Sequence, residues 1–378
     1  MSRPLLSLIL IFVVISSCNT FEKNEQLPEK VIVGYLFPQE KVITEQDVEV
    51  EKLTHINYAF ANIKDGKIVQ GFKNDAKNFN TLNSLKKKNP DLKILISVGG
   101  WTWSGNFSDM ALTKQSRKKF IDSAVEFIKE HNLDGIDLDW EYPNMKGAGN
   151  VHRPEDKRNF TLLLKELRTR LDELGEKDDK HYLSTIAAGV SKKYIANTEM
   201  AKVQRYVDFI NLMTYDFYIT GPDSLAGHNA PLFTNPKDPR KLSVDVGVDM
   251  FLDAGVPADK IVMGIPFYGR SAKTLSSTGH GLYEPALPPE EGLLTSFEHI
   301  KKNLENKNDF VRHWDSTASV PYLFNKKKNL FVSYEDVESA TRKCKYIKEH
   351  NLRGAMFWRY QSDYKSKLVT TLFENLLN

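Results

Sequence analysis

Asp134-Gly135-Ile136-Asp137-Leu138-Asp139-Trp140-Glu141 alternates acids with apolar side chains. Alternate side chains of a β-strand share a face. Asp137, Asp139 and Glu141 therefore point one way, and Ile136, Leu138 and Trp140 point the other. A solvated acidic run has no such apolar partner face, so this strand is expected to be buried on both sides. Successive acids stand roughly 6–7 Å apart along the strand. Three carboxylates in one confined column cannot all ionise comfortably, because like charge and desolvation raise their pKa values. They titrate as a coupled set, and the top acid can stay protonated near neutral pH, as a general acid requires. The alternative use of clustered carboxylates is a hard-cation site.

Outward from this strand, β-like and helix-like segments alternate. Strands are expected at Val31 to Phe37, Leu53 to Ile63, Leu92 to Val98, Gly135 to Trp140, Tyr182 to Val190, Val207 to Tyr215, Ile261 to Tyr268 and Arg353 to Trp358. Between them, Phe79 to Lys88, Gln115 to His131, Pro154 to Leu174 and Ser243 to Ala254 carry helical apolar spacing, and Ser366 to Leu377 closes the chain. Pro154 suits a first helical turn. Apolar strands alternating with amphipathic helices predict an α/β fold, a parallel sheet closed as a (β/α)8 TIM barrel. An open doubly wound sheet ranks lower, because Gly34-Tyr35 is not followed by the glycines of a phosphate loop. The interval between strands seven and eight is too long for one helix. Residues 271–332 are expected to form a small α+β insertion within a catalytic domain of residues 31–378.

The rest of the composition narrows the setting. A net charge of +3 with scattered lysines gives no nucleic-acid footprint. No cofactor or metal is expected, and the chain is expected to be a monomer. Arg3 followed by the apolar run Leu5 to Ile15 reads as a secretory signal, too short for a membrane span. Ile15-Ser16-Ser17-Cys18 resembles a bacterial lipoprotein cleavage box. That resemblance implies a signal peptide over 1–18, lipidation of Cys18, a flexible tether over 19–30, and an exported protein anchored to a membrane facing the periplasm or cell surface. Cys344 then has no partner, and it reads as a small packed residue.

With the acidic strand stand Ser97-Val98-Gly99-Gly100 on the third strand and Met213-Thr214-Tyr215-Asp216 on the sixth. Pro266-Phe267-Tyr268-Gly269-Arg270 ends the seventh, and Gly354-Ala355-Met356-Phe357-Trp358 forms the eighth. In this order the set resembles glycoside hydrolase family 18, the chitinases and their relatives. The resemblance implies retaining hydrolysis of β-1,4-linked N-acetylglucosamine polymers by substrate-assisted catalysis, an exception to the two-carboxylate scheme. Glu141 would protonate the glycosidic oxygen. Asp139 would orient the substrate's acetamido group, Asp137 would share a proton with Asp139, and Tyr215 would bond the acetamido carbonyl. Trp358 would floor the cleaved sugar. Tyr35, Phe60, Trp101, Tyr142, Met213, Asp216, Tyr268 and Arg270 would complete a chitin-binding cleft.

One departure is that no Trp follows Tyr35, where Leu36-Phe37-Pro38-Gln39 stands instead, which leaves an outer subsite unassigned. The insertion, with Tyr283 and Arg312-His313-Trp314-Asp315, resembles the module that deepens the cleft in one chitinase subfamily. The rival activities are an endo-β-N-acetylglucosaminidase acting on N-glycans and a non-catalytic chitin-binding lectin.

Overall fold

The computed structural model describes residues 30–221, 223–289 and 292–378. The expected signal peptide (1–18), Cys18 and the tether up to residue 29 lie outside them. Eight parallel strands form the barrel: Val31–Leu36, His55–Lys64, Lys93–Gly99, Gly135–Asp139, Leu183–Gly189, Phe209–Met213, Ile261–Pro266 and Gly354–Trp358. The first strand pairs with both the second and the eighth, which closes the ring. The expected (β/α)8 TIM barrel is what the chain forms.

Side-chain alternation splits the interior into two apolar cores. Ile136, Leu138 and Trp140 join the large core between strands and helices. There the Trp140 ring stacks on Phe107 at 5.2 Å and meets Phe160 edge-on at 5.7 Å. A smaller core of Val31, Val33, Ala59, Phe209, Val262 and Met356 fills the lumen. Such a packed lumen leaves only the mouth at the C-terminal strand ends free for chemistry.

Three local features depart from the sequence expectations. The second strand runs past Ile63 to Lys64 and turns back into an antiparallel strand, Lys67–Val69, with Lys64 opposite Lys67. The two turn residues, Asp65 and Gly66, both have positive φ, the two-residue hairpin turn that an Asp-Gly pair favours. The helix expected from Pro154 begins only at Asp156. The buried Asp156 carboxylate is taken up by the Arg153 N–H at 2.8 Å and the Ser108 hydroxyl at 2.6 Å, which holds the preceding chain in a loop. The helix before the third strand also starts earlier than read, at Asp75, whose buried carboxylate accepts from the Gly71 and Phe72 N–H groups.

Between strands seven and eight the chain builds a second, antiparallel sheet. Its order is Ala286–Leu287, Arg270–Thr274, Leu330–Ser333, Val320–Asn325, Phe310–Asp315. Asp315 fastens it to the long loop after strand six by accepting from His228 at 3.0 Å and from Asn235 at 2.5 Å. Tyr283 packs edge-on against the same His228. Tyr283 and Asp315 thus join the insertion to that loop.

Candidate active site

The column of acids rises from the lumen to the mouth. Asp137 is fully buried in mid-strand, Asp139 ends the strand, and Glu141 sits one step beyond it. Hydroxyls from three other strands converge on Asp137: Thr185 at 2.6 Å and Ser97 at 2.7 Å from its two neighbours, and Tyr35 at 2.9 Å from across the lumen, with the Asn211 amide at 3.3 Å. Burial holds the Asp137 carboxyl above its ordinary value, and these four donors offset only part of that rise. The Asn211 amide N–H can only donate, so the set favours an ionised Asp137.

Asp139 lies in the opposite environment. Its Oδ1 is buried with no hydrogen-bond partner among the described residues. Burial, then the charge of Glu141, then that of Asp137 drive its pKa well above the ordinary carboxylate range. A proton in this column therefore resides on Asp139. No hydrogen bond joins Asp137 to Asp139 among the described residues, and for Asp137 to take that proton one of its four donors must turn away. Burial also raises Glu141, to about 7, against a hydrogen bond from Tyr142 that lowers it and the charge of Asp216 that raises it. A carboxyl poised near neutrality can give a proton and take one back.

The third-strand glycines make room for this arrangement. Gly99 has φ +106°, and a Cβ there would stand 2.4 Å from the Asp139 carbonyl oxygen. Gly100, at φ +79°, would meet the Phe60 ring at 2.7 Å. Its N–H donates to the Asp139 carbonyl at 2.8 Å. The Ser104 hydroxyl accepts from the Glu141 N–H at 2.9 Å and donates to the Gly100 carbonyl at 2.9 Å. Gly99→Ala is expected to lose about 3 kcal/mol of stability from strained φ and overpacking, read as a lower midpoint in urea.

The mouth opens into a cleft of about 1580 Å³. Asp139, Glu141, Tyr215 and Trp358 meet at its floor, and Phe60, Trp101, Tyr142, Met213, Asp216, Tyr268 and Arg270 line it. Trp358 is fixed by Phe60, stacked at 5.5 Å and 19°, and by Phe37 at 5.6 Å. Trp101 is 53% exposed, so one indole face is open to a ligand. Asp216 binds Arg270 through two oxygens, at 2.7 and 2.6 Å, and accepts from the Tyr268 hydroxyl at 2.8 Å. Gly264 admits Tyr215, whose ring would lie 2.9 Å from a Cβ there.

Tyr35 is a correction: it does not line the cleft. It is 2% exposed, its hydroxyl is spent on Asp137, and its ring lies 6.0 Å from that of Trp358. In its stead Phe37, Phe72, Trp103 and Arg359 line the same end of the cleft. All four lie on loops, where alternation gives no signal. Phe37, two residues after Tyr35, packs against Phe60 at 5.7 Å and Phe72 at 5.9 Å. Among the described residues no group of three or more His, Cys, Asp or Glu side chains is placed to hold a metal ion.

Comparison with known proteins agrees with this geometry. Residues 31–363 match the family model Glycosyl hydrolases family 18. The chain is 42% identical to Chitinase A1 of Niallia circulans over 87% of its own length, and spans 56% of that longer protein. It is 37% identical to Chitotriosidase-1 of Mus musculus, over 83% of this chain and 68% of that one. Among solved structures, a glycoside hydrolase family 18 N-acetylglucosaminidase from Paenibacillus barengoltzii superposes with a TM-score of 0.85 at 43% identity, covering 92% of this chain and all of that one. From its acidic strand to its closing tryptophan, the chain belongs to glycosyl hydrolases family 18.

Proposed function

We propose that this protein hydrolyses β-1,4-linked N-acetylglucosamine polymers, chitin and its oligosaccharides, with retention and with the substrate's acetamido group as the nucleophile. The observation that carries this is Asp139, whose buried Oδ1 has no hydrogen-bond partner among the described residues, beside a Glu141 raised to about 7 at the floor of an aromatic-walled cleft. Glu141 protonates the glycosidic oxygen. The acetamido carbonyl, held by Tyr215, attacks the anomeric carbon. Asp139 passes its proton to Asp137 as one of that residue's donors turns away, accepts the acetamide N–H and, now ionised, balances the positive charge of the ring-closed intermediate. Glu141, now a base, activates the water that opens it. Because the nucleophile is already tethered to the sugar, no second enzymic carboxylate need reach the anomeric carbon. Trp358 gives the flat C–H face of the sugar a surface to pack on.

Digestion of a chitin hexamer with anomer analysis tests this. Chitobiose or longer products in the β-anomer are expected, and α-anomeric products would overturn the mechanism. A second reading, release of single N-acetylglucosamine units, draws on the Paenibacillus barengoltzii relative, whose whole chain is covered. It would give monosaccharide as the first product. Cleavage of a high-mannose glycoprotein alone would favour the N-glycan activity, and binding without cleavage would favour a lectin.

The five-stranded sheet supports membership of the subfamily whose insertion deepens the cleft. Leu5 to Ile15 followed by Ser16-Ser17-Cys18 supports export and a lipid anchor. In a bacterial host the protein is expected to partition into detergent and to label with a palmitate analogue. Cys18→Ser is expected to abolish both, and an unchanged partition would remove the anchor.

A further inference from the structure

Most cations of the cleft are spoken for. Asp216 holds Arg270, Asp223 holds Arg240 at 2.7 Å, and Glu298 holds Lys302. His299 shares a hydrogen bond with Asn303 at 3.2 Å. Arg359 differs. Its guanidinium has no ion pair and no hydrogen bond among the described residues, and it lies over the Phe37 ring at 5.3 Å. Burial lowers its pKa with no carboxylate to offset the effect. The side chain lines the cleft directly after Trp358. Its position is fixed relative to Phe37, because the Phe37 N–H donates to the Gln361 side chain at 3.2 Å, on the short turn that Arg359 begins.

An arginine seated over an aromatic ring without other partners keeps its N–H groups free for an acceptor. An acetamido carbonyl is such an acceptor. The ammonium of a de-N-acetylated glucosamine is a cation, and in a partly desolvated cleft an uncompensated guanidinium repels it. We propose that Arg359 makes the end of the cleft beside Phe37, next to the Trp358 floor, select N-acetylated over de-N-acetylated sugars. The inference rests on the proposed activity and adds to it a residue that reads the acetylation pattern of the substrate.

Partially de-N-acetylated chitosan tests it. The products are sequenced by mass spectrometry for the sugar identity at each position from the cut. The wild type is expected to exclude glucosamine by about tenfold at one position besides that of the cleaved sugar, a size typical of one charged contact. Arg359→Gln is expected to erase that exclusion and to raise KM for the acetylated hexamer more than it lowers kcat. Arg359→Lys, which keeps the charge, is expected to retain the exclusion. An active, folded Arg359→Gln variant with the wild-type exclusion pattern overturns this inference alone. A wild type inert on chitin hexamer overturns the proposed activity, and this inference with it.

Discussion

Glu141→Gln is expected to lower kcat on chitin oligomers by roughly 10³-fold while leaving their binding measurable, since a general acid contributes about 10²–10⁴-fold. The variant keeps the shape of the side chain and removes only its proton. Its pH signature is the sharper check. Burial holds Glu141 at about 7, so the wild-type kcat/KM should fall as pH rises through that value and the donor ionises. The residual activity of the Gln variant should lose that limb. The stability contributed by this group should fall over the same pH range. A carboxyl raised from 4.5 to about 7 contributes stability that is present below pH 4.5 and is lost as pH rises through 7. Glu141→Gln is therefore expected to raise Tm at pH 8 by a few degrees, on the order of 5 °C, and to leave it nearly unchanged at pH 4. A calorimetric scan at the two pH values that showed equal shifts would contradict the burial of an ionisable group here.

Asp139→Asn is the second large effect. The substitution keeps the volume and takes away the charge that balances a positive intermediate, together with an acceptor for the acetamide N–H. A loss of roughly 10²–10³-fold in kcat is expected, the size seen when one preorganised charge-stabilising contact is removed. KM should change far less, because the contact strengthens as charge develops. The amide also leaves Asp137 and Glu141 without the group that raises or is raised by them. The Glu141 limb of the pH profile should therefore move. A loss confined to KM would mean that Asp139 only holds the ground-state sugar.

How much of this could be read from the chain depended on where each residue lies. The barrel was legible because eight apolar strands alternate with helices, and the acid column because alternation fixes its face. The surroundings of Asp137 were not. Ser97, Thr185 and Asn211 come from three other strands, and only the register that sets Ser97 and Thr185 opposite Asp137 shows that they converge. Tyr35 was expected to line the cleft, but its hydroxyl ends on the buried Asp137, a depth that strand position alone does not give. The hairpin at Lys67–Val69 was announced by Asp65-Gly66 and went unread. Phe37, Phe72, Trp103 and Arg359 had no periodic signal at all, because loops place side chains by tertiary contacts. The start of the helix at Asp156 was missed for a related reason: a buried carboxylate that caps a loop outweighs the preference of Pro154 for a first turn.

Closure of the barrel has a consequence for how copies of this protein meet at high concentration. A ring in which every barrel strand has two neighbours offers no open edge beyond the three-residue hairpin strand Lys67–Val69. The antiparallel insertion does offer one: Phe310–Asp315 is an outer strand, six residues long, with Val311 53% exposed. Aggregation by strand addition should therefore begin at the insertion and spare the barrel. Arg312, on that same strand and bound to Asp336 and Glu338, acts there as a gatekeeper charge.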